Sequence, residues 1–76
     1  MQTDPERHNR CDILDLLEEA AVFGLHLQVR TSDGREFHDR VLEVPSDADG
    51  DWAVFAEQGR IRVDDIEMAR RPPVLA

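Results

Sequence analysis

The sequence predicts a small, mainly β domain of the α+β class: one N-terminal helix, then about five antiparallel strands closing into a small barrel or a strongly bent sheet. Three observations predict it. Only residues 12–23 carry apolar side chains at helical spacing. Several later segments alternate apolar and polar residues. Turn signals, Asp33-Gly34 and Gln58-Gly59, join those segments at hairpin distance.

In the helix, Ile13, Leu16, Leu17, Ala20 and Ala21 follow the i, i+3, i+4, i+7 rule. Projected at about 100° per residue, they cover one side, and Asp12, Asp15, Glu18 and Glu19 gather on the other. Asp12 suits the N-cap, early carboxylates complement the positive end of the helix dipole, and Gly24 is placed to end the helix. Leu25, Leu27 and Val29 then alternate with His26, Gln28 and Arg30 in a half-buried strand. Asp33-Gly34 predicts a type I′ turn with positive φ at both residues. Residues 36–44 form a second strand whose apolar set, Phe37, Val41, Leu42 and Val44, changes phase midway, which predicts a bulge or sharp bend. Residues 45–51 read as an acidic loop. A further hairpin joins 52–57 to 60–63, and Ile66 and Met68 mark a short last strand. The polar segment 1–10 reads as a flexible leader and 71–76, with Pro72-Pro73, as a flexible tail, leaving 11–70 as one domain.

Composition narrows the function classes. The 76 residues hold 17 Asp plus Glu against nine basic residues, all arginine, for a net charge of −8. A domain this small buries only about 60% of its unfolded surface, so an enclosed small-molecule pocket is not expected. A charge of −8 is repelled by phosphate backbones and anionic lipid, so direct nucleic-acid and membrane partners are not expected either. A basic protein surface fits better. One cysteine, Cys11, admits no internal disulfide, and nothing resembles a signal peptide or a membrane span; the expected compartment is the cytoplasm.

No catalytic or metal constellation emerges. The two serines, Ser32 and Ser46, sit in turns, and no His or Cys pair has zinc-ligand spacing, so neither enzyme activity nor a cofactor is expected. Residues 47–51 hold three aspartates, yet the glycine falls fourth rather than sixth and Gln58 occupies the twelfth position of an EF-hand loop; a solvated loop is the reading. Cys11 reads as a partly buried thiol, Trp52 as core or rim packing, and Arg60 and Arg62 as paired across the sheet with acidic neighbours.

The run from Cys11 through Asp12, Asp15, Leu17, Glu18 and Ala20 resembles the signature of the Rho-binding antiterminator (Rof) family. The Asp33-Gly34 turn and Val63-Asp64-Asp65-Ile66 also fall where that family has its Asp-Gly and Leu-Asp-x-Ile. The likeness covers roughly residues 9–70. Leu14 stands where the family usually has a tyrosine, and the 46–51 loop is acidic where better-known members are mixed or basic. The resemblance implies an Sm-like barrel with an N-terminal helix, and a protein that binds the transcription termination factor Rho and blocks its RNA-loading surface. Asp12, Asp15 and Glu18 match the family's acidic helix positions; with Glu19 they are the expected partner-binding residues, acting by RNA mimicry in a monomeric protein. The rival reading is an Sm-like scaffold that self-assembles through open strand edges, and a lesser one is an RNA-binding module using Arg60 and Arg62.

Overall fold

Helix α1, Arg10–Phe23, begins two residues before the expected start, because Asn9 rather than Asp12 is the N-cap. The Asn9 side-chain oxygen accepts from the Cys11 amide at 2.8 Å, and asparagine caps as well as aspartate does. Asp12 sits instead in the first turn, where the helix dipole favours its charge. The C-terminus closes as expected: Gly24 takes the left-handed conformation (φ 67°), and its amide and that of Leu25 both return to the Ala20 carbonyl. The computed structural model describes residues 9–72; the expected leader over 1–8 and the tail over 73–76 lie outside them.

Six strands follow: β1 (His26–Thr31), β2 (Glu36–Glu43), β3 (Ser46–Asp47), β4 (Gly50–Phe55), β5 (Gly59–Arg62) and β6 (Ile66–Arg70). All pairings are antiparallel. The mainly β class with one N-terminal helix is therefore the fold. The additional strand, β3, is two residues long and folds the expected acidic loop back onto the start of β4. Along the sheet the order is β5-β4-β2-β1-β6, so a meander is completed by the last strand returning to the first. A single 3-10 turn, Val63–Asp65, carries the chain from β5 to β6.

The phase change in β2 is real and marks the bend. Its first half pairs with β1; its second half pairs with β4 across a register shift between Val41 and Glu43. One strand thereby serves two walls of the sheet. The β1–β2 turn differs from the type I′ geometry expected. Positive φ is confined to Gly34 (92°), and the Gly34 amide bonds to the Thr31 carbonyl, giving a three-residue loop over 32–34. Asp33 explains the difference: its carboxylate accepts from the Thr31 hydroxyl and the Arg35 amide, an arrangement that needs no left-handed aspartate.

The core lies between the concave sheet and α1. Ile13, Leu16, Leu17 and Ala20 of the helix are fully buried against Leu27, Val29, Val41, Phe55, Val63 and Ile66. The Phe37 ring meets Phe55 edge-to-face at 5.1 Å. Leu14, at the position of the family tyrosine, is half-buried and packs against this core.

One polar residue is built into the sheet. Asp39 occupies the inward phase of β2 and is 4% exposed. Burial alone would raise its pKa, but the Gln58 (2.9 Å), Glu57 (2.8 Å) and Arg40 (2.7 Å) amides donate to it, His26 adds a favourable charge, and the net shift is downward. Asp39 thus ties the β4–β5 turn to β2. A carboxylate with a lowered folded pKa contributes its full stabilisation above the unfolded value of about 3.9 and loses it as pH falls through the folded value. Asp39→Ala is expected to cost about 1–3 kcal/mol near neutral pH by orphaning those amides. In urea titrations the gap to the native protein should hold down to about pH 5 and narrow below about pH 4. An equal gap at neutral and strongly acid pH would rule this account out.

Candidate partner-binding face

Burying one stripe of α1 decides what its other side shows. Asp12, Asp15, Glu18 and Glu19 are all exposed, as the periodicity requires. The structure divides this set. Glu19 accepts from Arg71 at 2.6 Å, a clamp between the helix and the residue after β6. Asp12, Asp15 and Glu18 make no side-chain hydrogen bond or ion pair among the described residues.

Elsewhere three arginines pair with carboxylates of the sheet and its turns, while the exposed Arg40 forms no ion pair among the described residues. Arg30 pairs with Glu67 (2.9 Å) and Glu36 (3.7 Å), Arg35 with Asp33 (3.5 Å) and Arg60 with Asp47 (3.2 Å). Arg10, at the start of α1, reaches away from the acidic stripe to Asp64 (2.6 Å) and Asp51 (2.9 Å), and those two carboxylates raise its pKa further. It binds the helix start to the 3-10 turn and to β4.

The acidic segment at 46–51 is largely exposed, as expected of a solvated loop, but two of its carboxylates also have partners within the fold. Asp47 accepts from the Asp49 amide (2.8 Å), the Trp52 indole (3.1 Å) and Arg60, which together lower its pKa. Asp51 accepts from the Ser46 hydroxyl and from Arg10, with the same effect. Two of the loop's three negative charges are thus partnered internally. Trp52 lies half-buried at the rim, with the Arg60 and Arg62 guanidinium carbons 4.4 and 5.2 Å from its ring centre. Of the two arginines, Arg60 meets a carboxylate as expected, whereas Arg62 donates to the Asp49 carbonyl at 2.8 Å.

Two further expectations are corrected or refined. Cys11 is an exposed free thiol rather than a partly buried one, because a helix starting at Arg10 turns it to the solvent side. A groove of about 410 Å³ does exist, lined by Thr31, Asp33, Arg35, Trp52, Arg60 and Arg62, but it is open to solvent rather than enclosed. No group of three or more His, Cys, Asp or Glu with metal-binding geometry occurs among the described residues, and no helix among them is long and apolar enough to cross a membrane.

No family model matches the sequence, and no curated protein matches it significantly.

The Asp47 contacts have a direct optical readout. Asp47→Ala removes the indole acceptor and the Arg60 partner together, so Trp52 emission should shift to the red with far-ultraviolet dichroism unchanged. An emission maximum that stays in place would show that the loop is held by something other than Asp47.

Proposed function

We propose that this protein is a non-enzymatic, cytoplasmic regulator that docks on a basic protein surface through α1. The partner is the termination factor Rho, whose RNA-binding surface the helix would occlude, inhibiting Rho-dependent termination. One observation carries the reading: Asp12, Asp15 and Glu18 face solvent without a cationic partner among the described residues, while Arg10, Arg30, Arg35, Arg60 and Arg71 are held in ion pairs with other carboxylates. Glu43, Asp49, Glu57 and Asp65 are also exposed without an ion pair among the described residues, but they stand on four separate segments, whereas Asp12, Asp15 and Glu18 share one helix face.

The resemblance of residues 11–20 to the Rof family supplies the identity of the partner. The internal pairing of Asp47 and Asp51 removes one objection to it, since the loop presents less negative charge than its composition implies. Mechanistically, the three carboxylates take the place of RNA phosphates against lysine and arginine side chains. Long-range attraction makes such association fast and strongly salt-sensitive. Direct RNA binding gains little support, because Arg60 and Arg62 are already engaged by the 46–51 loop and Trp52.

The test is competition between the purified protein and pyrimidine-rich RNA for Rho. Asp15→Lys combined with Glu18→Lys should weaken that competition by at least about tenfold at low salt, with the thermal midpoint little changed because both side chains are exposed. Undiminished competition by the double variant would remove the helix from the interface.

A second reading has its own structural support. Among the described residues β5 pairs only with β4 and β6 only with β1, so each leaves an edge on which another strand could form. Light scattering separates the two: a single-chain mass is expected, and a mass several times larger would favour self-assembly.

A further inference from the structure

Three large apolar side chains stand in solvent among the described residues: Val22 at 77% exposure, Phe23 at 69% and Leu42 at 45%. Two of them are consecutive and close the outward side of α1. At about 100° per residue, Val22 and Phe23 fall within the same arc as Cys11, Asp12, Asp15, Glu18 and Glu19. The exposed face of the helix is therefore not uniformly acidic. Carboxylates occupy its first part, and an apolar foot ends it, about 16 Å along the axis from Asp12 to Phe23.

Nothing in the fold requires apolar residues at these two positions. The helix end is closed by backbone bonds from Gly24 and Leu25 to Ala20, and Leu25, not Phe23, turns back toward the core. An isolated exposed apolar residue is ordinary. A phenylalanine and a valine side by side, continuing an unneutralised charged stripe, are a different arrangement. Interfaces commonly place a buried aromatic or aliphatic anchor beside charged groups that steer and orient the partner.

We propose that the docking face of α1 is composite, with Asp12, Asp15 and Glu18 orienting the partner and Val22 and Phe23 anchoring it. The occupant is a protein surface that sets a basic strip beside an apolar recess. Charge complementarity selects that occupant. A second copy of this chain would bring carboxylates against carboxylates, and phosphate or anionic lipid would be repelled in the same way. The inference rests on the reading of α1 as the docking element and adds the chemistry of its partner.

Two short synthetic peptides of equal lysine content test it with the full chain. In one, leucines and a tryptophan form an apolar face between the lysines; in the other, serines replace them. The apolar-faced peptide should bind on the order of tenfold tighter. Val22→Ser with Phe23→Ser should erase that advantage, leave binding of the serine peptide unchanged and leave the protein folded by circular dichroism. Asp15→Lys with Glu18→Lys should weaken both peptides. Equal affinity for the two peptides, an advantage that survives Val22→Ser with Phe23→Ser, or no binding of either would overturn the composite face. Rho titrated with the same variants separates this inference from the reading beneath it. Rho binding lost with Asp15→Lys and Glu18→Lys but indifferent to Val22→Ser and Phe23→Ser would sink the apolar anchor alone. Absence of Rho binding, with the peptides still discriminated, would sink the partner's identity and leave the composite face standing.

Discussion

A bent sheet of short strands has a concave apolar side that must be covered, and α1 is the only helix longer than a single turn among the described residues to cover it. Ile13, Leu16, Leu17 and Ala20 are each at most 2% exposed. Full burial of a leucine or isoleucine is worth roughly 1.5–3 kcal/mol, whereas an exposed ion pair contributes about 0–1 kcal/mol. Packing therefore sets the rotation of the helix about its axis, and electrostatics adjusts to it. A rotation of one residue would bring Glu18 toward the core in place of Leu17. That constraint is why the acidic face points outward, why Arg10 is placed to reach Asp51 and Asp64, and why the helix must end where Gly24 turns the chain into β1.

The same constraint gives the absence of lysine a physical side. Arg10 spans two carboxylates on separate elements through Nε and Nη2. Arg60 meets Asp47 through one nitrogen while its plane lies over Trp52. Arg62 covers the other contact on that ring and caps the Asp49 carbonyl. A planar fork with several fixed donors does this, and a single ammonium does not. At these three positions arginine is a structural choice, with each side chain binding two features at once.

Much of this was legible because it is local. The helix, the hairpins and the bend in β2 are written in spacing, phase and turn residues that operate within a few positions of each other. What escaped depends on competition or distance. Two good capping residues, Asn9 and Asp12, lie three positions apart, and only the packed helix selects between them. The side-chain contacts of Asp33 overrode the usual preference of Asp-Gly for a type I′ turn. Asp39 shares the inward phase with Phe37 and Val41, a signal that hydrophobic counting passes over because the residue is charged. In the candidate site the three outward carboxylates were readable from helical period. The Arg71 clamp on Glu19 spans 52 positions and was not. Helical period also sets Val22 and Phe23 outside the apolar stripe, a signal that counting hydrophobic residues passes over, and both are exposed.

The acidic stripe itself is a local liability. Asp15, Glu18 and Glu19 lie at i+3 and i+4 spacings where like charges repel, by roughly 0.2–0.5 kcal/mol per pair in an isolated helix. Arg71 relieves one of these charges from outside the helix; Asp15 and Glu18 receive no such relief among the described residues. The penalty is small against four buried apolar side chains, so α1 remains helical through its contacts with the sheet rather than through its own sequence preferences. Fold and outward face are in that sense decoupled. The stripe facing the core determines that the helix forms and how it is turned. The side chains facing solvent carry almost none of that energy, which leaves their charge and their apolar end free to vary without cost to the fold.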